Sequence, residues 1–347
     1  MDIHDWKGEN TMIYVSYDEA VAKMTKGLSR YLPEEKAHHF AEIFAGNSLD
    51  GVYSHGMNRY ARYLGDMDSG LCDRTITEAE RVSGFGGLEV WDAHFGVGPL
   101  IAEQMAERAI ELAKQHGVAC IALRNNSHWL RAGRYGLMMA DAGMMGICFT
   151  NTSMNLVAYG AKESSTGNNP ITFAIPRKKG SLVMDMAVSQ YAFGKLEIMA
   201  QEGKMLDTAC GYDKEGNLTN DPKKISESGM MMPMALWKGS ALSIMMDLMA
   251  ASLSLGRPSH VIGAPAKGEK GMSQIYICMH PDAVVDKNAM DEQIEGTLAF
   301  LNGLEPKDGK HGVHAPGENL EKTRALNRER GIPVTEETWA KIMNAAK

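Results

Sequence analysis

An α/β fold led by a helical unit is what this sequence predicts, and two patterns carry that expectation. Helical spacing runs through roughly the first 70 residues, and from residue 117 short apolar runs alternate with helical stretches. The apolar share of 44% and charged share of 23% suit an ordinary soluble globular protein, and 347 residues allow two or three domains around a large core. A formal net charge of -7 argues against nucleic acid or an anionic membrane surface as main partner. No uncharged apolar run is long enough to span a bilayer. Residues 1–11 read as a loose polar leader without the apolar centre of a signal sequence. The five cysteines, Cys72, Cys120, Cys148, Cys210 and Cys278, are scattered, odd in number and free of any CxxC. That pattern predicts a cytoplasmic protein with neither a disulfide frame nor a zinc site.

Residues 16–31 put Val21, Met24 and Leu28 on one helical face, with Ser16 as N-cap and Glu19 at the third helical position. A second helix opens at Pro33 and ends near Asn47. Next comes GVYSHGMNRY, residues 51–60. A helix from Ser54 onward would set His55 and Arg59 at i and i+4, on one face. Arg59 offers a planar fork for a carboxylate, and His55 can give or take a proton near neutral pH. Taken alone, these residues also suit a surface helix with ordinary polar side chains. Residues 59–70 form a further short helix, closed by Gly70.

Residues 81–92 suggest a turn and a short strand, and residues 99–116 a helix. Gly96 and Gly98 hint at a dinucleotide fingerprint, but its third glycine would fall at Ile101 and Pro99 removes a backbone donor, so a helix start is expected there. Residues 118–123 and 145–150 read as buried strands, separated by a helix that ends near Gly143. His128 and Thr152 stand just beyond those strands, where α/β sheets open their ligand crevice. A structural histidine bonded to its own loop is the alternative for His128. Asp185 lies in an apolar strand, 181–187, and Lys162 is a candidate partner for its carboxylate. That pair would be an internal salt bridge or part of a site.

Residues 202–232 are polar, with a hairpin or loop at 211–220 turned by Gly216. Trp237, Lys238, Gly239 and Ser240 precede a strongly apolar helix, 241–255, whose methionines at 244–249 are expected to fill a core. Its N-terminus reads either as an anion site or as the cap of a core helix. Residues 272–279 read as a strand and 288–302 as an amphipathic helix; a loop at 306–319 precedes helices at 319–330 and 335–345. His311 and His314 are taken as loop residues, and no metal site is expected.

Six stretches occur in order: GVYSHGMNRY (51–60), RNNSHWLRAGRYG (124–136), GAKESSTGNNP (160–170), VMDMA (183–187), WKGS (237–240) and PGEN (316–319). Together they make the sequence resemble the malate/L-lactate dehydrogenase family of the non-Rossmann type, from about residue 12 to the end. The resemblance implies that family's α/β fold, with a mixed sheet and a helical N-terminal unit. It divides the chain into that unit at 12–75, a larger α/β domain from 76–120 and 286–347, and a cofactor-binding domain at 121–285. It also implies an NAD(P)H-dependent oxidoreductase acting on a 2-oxo acid, in particular a diketo sugar acid, with NADH favoured, NADPH possible and a homodimer expected.

By the same resemblance His55 is the proton donor and His128 a second active-site histidine, with the main acid/base role open between them. Ser54, Arg59 and Lys162 fall on the substrate side. Thr152, Ser181, Leu182, Val183, Met184, Asp185, Met186, Ala187, Trp237, Lys238, Gly317, Glu318 and Asn319 fall on the cofactor side. The alternatives are a malate, lactate or ureidoglycolate dehydrogenase, a cyclic imine acid reductase, or a noncatalytic binder of sugar acids.

Overall fold

Strand β1 (Met12–Val15) starts the described chain, and helices α1 (Tyr17–Leu28), α2 (Glu34–Leu49) and α3 (Tyr60–Asp68) follow. The computed structural model describes residues 12–201, 203–263, 268–310 and 312–347; the leader expected at 1–11 and His311 lie outside the described residues. A hairpin of β2 (Glu80–Phe85) and β3 (Leu88–Asp92) leads through α4 (Gly98–His116) to β4 (Val118–Asn126), α5 (Ala132–Asp141) and β5 (Met145–Thr150). Then come β6 (Leu156–Val157), β7 (Ser164–Thr166), β8 (Ile171–Ile175) and β9 (Leu182–Met186). The next stretch holds α6 (Phe193–Gln201), β10 (Gly211–Tyr212), β11 (Leu218–Thr219), α7 (Pro222–Ser228) and β12 (Met230–Met231). The chain finishes with α8 (Trp237–Ser254), α9 (Ser259–Ile262), β13 (Met272–Met279), α10 (Lys287–Asn302), α11 (Leu320–Arg330), β14 (Ile332–Thr335) and α12 (Glu336–Ala345).

The N-terminal unit forms as its sequence pattern requires. Ser16 accepts the Glu19 amide and caps α1, and Val21, Met24 and Leu28 are buried. They join Phe40 and Phe44 of α2 and Tyr60 and Tyr63 of α3 in one core. Ile332, Val334 and Ile342 belong to that same core, because β14 pairs antiparallel with β1. So the end of the chain packs with the helical unit, whereas the sequence division places 286–347 in the larger domain.

The main sheet has seven strands in the order β2-β3-β4-β13-β5-β8-β9. Only the β3–β4 pair is parallel, so the sheet is mixed. The expected division at 120/121 falls inside β4. A smaller sheet, β11-β10-β12-β6-β7, holds the polar stretch after α6 and includes the hairpin turned at Gly216.

Two local expectations change. Residues 53–59 form two 3-10 turns, Tyr53–His55 and Met57–Arg59, rather than one α-helix. Gly56 breaks the helix with φ -110 and ψ -131. It also lies against α2, where a Cβ would come within 2.8 Å of the Ser48 amide nitrogen and 2.9 Å of the Phe44 carbonyl oxygen. The methionine-rich helix α8 is only half core. Met246 and Ala250 are buried, but Met245, Leu248 and Met249 each keep at least half of their surface exposed. The apolar sequence runs around both faces of the helix, and only one face meets the sheet.

Gly56→Ala should therefore be costly. A methyl group there has to push α2 from the two turns, so a loss of about 1–3 kcal/mol is expected in denaturant titration. Activity at a temperature where the variant is still folded should also fall.

Candidate active site

The register of β13 brings the site together. This strand lies between β4 and β5 and runs antiparallel to both, with Gln274 opposite Leu123 on one side and Thr150 on the other. The C-terminal ends of β4 and β5 and the N-terminal end of β13 therefore share one sheet edge. His128 follows β4, Thr152 and Ser153 follow β5, and Glu269 precedes β13. Asn151 locks this edge. It exchanges hydrogen bonds with Ser273, its amide group donates to Asp247 of α8 at 2.8 Å, and Thr152 N–H donates to Asn169 Oδ1 at 2.9 Å.

The two turns after α2 complete the edge. Asn47 donates to the His55 carbonyl at 2.9 Å. The Ser54 hydroxyl and His55 Nδ1 are 3.0 Å apart, and Gly194 of α6 packs closely on Ser54. The His55 and His128 rings are nearly parallel, with centroids 5.9 Å apart. His128 Nδ1 accepts the Leu130 amide at 3.0 Å, so the proton of the neutral ring sits on Nε2. Arg59 Nη2 is 3.9 Å and His128 Nε2 4.0 Å from Glu269 Oε2. Glu269 Oε1 accepts the Ser153 hydroxyl at 2.9 Å.

Both imidazoles are held neutral. Burial pushes His55 down from the ordinary 6.5 to about 4, and the cations Arg59 and Arg131 push in the same direction. Burial also holds His128 well below the ordinary value, helped by Arg59 and by His55. Arg59 thus faces two uncharged imidazoles. That arrangement can grip a carboxylate, while one ring exchanges a proton with the group beside it.

Behind the histidines, Arg131 ties three parts of the fold together. It bonds Asp50 at the end of α2, and Asp50 in turn receives Arg324 of α11 at 2.5 Å. Arg131 Nε lies 3.7 Å from Asp185 on β9, whose side chain is 22% exposed. Burial raises the Asp185 carboxyl pKa, and Arg131 and the Gly133 amide pull it back. Lys162 is not its partner, contrary to the sequence-based pairing. It lies exposed in the turn between β6 and β7, whereas the Gly133 amide reaches Asp185 at 2.8 Å.

The segments expected around a cofactor converge on the edge strand β9. Gly317, with φ +79, fits against Val183 so closely that a Cβ would meet its amide nitrogen at 2.6 Å. Glu318 is fixed by the Asn302 side chain at 2.7 Å and by the Ala315 amide at 3.0 Å, with His314 Nδ1 3.7 Å away; Asn319 stands at the N-cap of α11. Ser181 bonds Asp141 at 2.7 Å. Met184 and Met186 pack with Leu242 and Met246 of α8, which opens at the exposed Trp237 and Lys238. Leu182, Val183 and Ala187 complete the strand and its exit. A glycine cradle, an apolar wall and exposed residues at a helix start suit a dinucleotide. The Gly98 amide does not: it donates to the Tyr63 and Ser127 hydroxyls at 3.0 and 2.8 Å, so that helix start is a packing joint.

Arg131, Asp50 and Glu269 were not singled out from the sequence. Arg131 lies within the 124–136 stretch, next to His128. Glu269 sits among glycines and lysines and carries no signal until β13 is placed between β4 and β5.

A guanidinium fork beside two imidazoles suits a 2-oxo or 2-hydroxy acid, and the chain's relatives give the class of protein: an oxidoreductase of such acids. The sequence profile described as malate/L-lactate dehydrogenase matches residues 15–343. The 2,3-diketo-L-gulonate reductase of Haemophilus influenzae is 38% identical over 330 residues, covering 94% of this chain and 98% of that protein. The enzyme of the same name from Mannheimia succiniciproducens is 36% identical over 329 residues, covering 94% and 98%. Among solved structures, the delta1-piperideine-2-carboxylate reductase of Pseudomonas syringae pv. tomato superposes with a TM-score of 0.85 at 26% identity, covering 96% of this chain and 99% of that one. The malate dehydrogenase of Entamoeba histolytica shares the fold, with a TM-score of 0.91 at 24% identity over 97% and 98% of the two chains. The chain belongs to the malate/L-lactate dehydrogenase family, and the enzyme is an NAD(P)-dependent oxidoreductase.

The buried histidines set an acid limit on stability. An unfolded chain protonates His55 near 6.5, whereas the fold protonates it only near about 4. Its contribution is complete above pH 6.5 and is lost as the pH falls towards 4. His55→Gln should flatten that decline, read as the denaturation midpoint against pH, and an unchanged slope would mean that His55 is not held neutral.

Proposed function

We propose that this enzyme reduces the 2-oxo group of a diketo sugar acid, 2,3-diketo-L-gulonate, with NADH as the preferred cofactor. The observation that carries the proposal is Arg59 facing two neutral imidazoles at one sheet edge. The names of the curated relatives supply the substrate.

Arg59 grips the substrate carboxylate and so places the neighbouring carbonyl between His55 and His128. A nicotinamide cofactor, when bound, would supply the hydride that the carbonyl carbon needs. His55, protonated from solvent once the bound substrate carboxylate has raised its proton affinity, gives that proton to the oxygen, on which negative charge develops. In the free site burial, Arg59 and Arg131 all oppose a charged His55. A carboxylate on Arg59 cancels part of that opposition, so substrate binding raises the proton affinity of His55 just before the proton is needed. Ser54 holds the ring through Nδ1, and His128 offers Nε2–H to the same oxygen.

The cofactor-binding part is proposed to be built on residues 121–285, completed by Gly317, Glu318 and Asn319. NADH is favoured over NADPH because two of the three cations just before Ser181 are already paired. Arg177 and Lys179 both close on Glu295, at 2.5 and 3.2 Å, which leaves them neutralised towards a 2′-phosphate. Lys162 stays a substrate-side candidate only through its exposed place near the start of α8, where Tyr159 N–H donates to Ser240 at 2.9 Å. A cytoplasmic setting is proposed on the five free cysteines, four of them buried. Among the described residues no helix is long and apolar enough to cross a membrane.

A homodimer is proposed through the exposed face of α8, where Ile244, Met245, Leu248 and Met249 form an apolar strip beside Trp237. Light scattering should give twice the chain mass, and Leu248→Asp should reduce it to one chain. A wild-type monomer at micromolar concentration would remove the dimer from this proposal.

Absorbance at the reduced-nicotinamide band tests the chemistry, with NADH and NADPH against 2,3-diketogulonate, pyruvate, oxaloacetate and a cyclic imine acid. The diketo sugar acid with NADH should give the highest kcat/KM. His55→Ala should lower kcat roughly a hundredfold to ten-thousandfold. Full turnover in that variant would move the acid role to His128.

A further inference from the structure

We infer that Glu269 is a specificity-determining residue, a fixed carboxylate that selects substrates with a hydroxylated tail and rejects those with a second carboxylate. This rests on the proposed role of Arg59 as the carboxylate anchor.

Glu269 faces both Arg59 and His128. Its two oxygens are used differently. Oε1 is tied down by the Ser153 hydroxyl at 2.9 Å and lies 3.4 Å from the Ser153 amide. Oε2 stands 3.9 Å from Arg59 and 4.0 Å from His128, beyond hydrogen-bond length from either. An ionised carboxylate only accepts hydrogen bonds, and a hydroxyl both donates and accepts. A substrate hydroxyl can therefore donate to Oε2 while accepting from a neighbouring donor. A second substrate carboxylate offers no proton there and brings a like charge against Glu269, in a site that is only about 15% exposed on each of these side chains.

The residue after Glu269 is anchored on both sides. Lys270 Nζ donates to the Gly70 carbonyl at 2.9 Å. The cations of Lys270 and Arg257 sit 5.1 and 4.9 Å from the centre of the Phe95 ring. Glu269 is thus pinned between the N-terminal unit and the sheet edge, with Ser153 setting its rotamer.

The test uses the NADH-loaded enzyme and its isosteric variant Glu269→Gln, which keeps a carbonyl oxygen for Ser153. Equilibrium binding of L-gulonate and L-malate is measured by calorimetry. Wild type should bind gulonate more tightly than malate. Glu269→Gln should tighten malate and weaken gulonate, changing the ratio of the two dissociation constants by about tenfold or more. Wild type binding malate as tightly as gulonate, or malate affinity unchanged in the variant, would overturn the inference. Equal weakening of both ligands would also overturn it and leave Glu269 a loop prop. Turnover of 2,3-diketogulonate by wild type is scored separately. If turnover is absent but the binding ratio still shifts, the reductase proposal falls and the role of Glu269 stands.

Discussion

The pairing of β13 with β4 and β5 is the constraint on which the rest of this structure depends. A strand inserted antiparallel between two parallel neighbours carries its own beginning to their ends. Three connections that are far apart in sequence then open at one edge, and each brings a different chemistry: an imidazole, a pair of hydroxyls and a carboxylate. In an all-parallel sheet the loop before the central strand would open at the opposite edge. The mixed sheet is therefore what allows Glu269 to share a site with His128.

Electrostatics then determines what the edge can do. Arg59 stands 3.9 Å from Glu269 and close to both histidines. Burial keeps both histidines uncharged, and the guanidinium itself reinforces that state. In the proposed mechanism an anion bound at Arg59 would raise the proton affinity of the rings, which would couple binding to proton supply. The opposite strategy is used behind the site. There Arg131 is nearly enclosed by Asp50 and Asp185, and Arg324 also bonds Asp50, so charge is matched inside the protein. Breaking one member would leave another buried and unpaired, which costs far more than a surface pair. This network holds the end of α2, the loop after β4 and the edge strand β9 in fixed relation. Those are the supports of His55, His128 and the expected cofactor wall.

Much of this was legible in the sequence because it is local. Ser16 and Glu19 announce α1, the apolar run at 118–123 announces β4, and His128 and Thr152 could be placed past strand ends by periodicity alone. Pairings between distant segments were not legible. β1 and β14 are four-residue strands, one containing Pro333, and each is stabilised only by meeting the other across the length of the chain. The helix expected at 54–60 failed because Gly56 answers to a close approach by α2, which spacing does not encode. The methionines of α8 were read as core because composition reports hydrophobicity but not which side has a partner. Lys162 was paired with Asp185 by charge alone, while Arg131, at the start of α5, was nearer in space.

The proposed site would separate the demands of cofactor and substrate. A Gly-rich phosphate loop binds a dinucleotide with backbone amides at a helix start. Here the helix start at Gly98 is used for packing against Tyr63 and Ser127, and the glycine that matters lies elsewhere. Gly317 lets a loop from the C-terminal part press on the backbone of β9, with the apolar side of α8 below the same strand. An edge strand still has one row of free backbone groups, which is a liability in water but a binding surface when a ligand covers it. A cofactor held on that edge, as proposed, would leave the crevice at the strand ends to Arg59, the histidines and Glu269. The hydride source and the selecting groups can then vary independently, which would let one fold serve acids with very different tails.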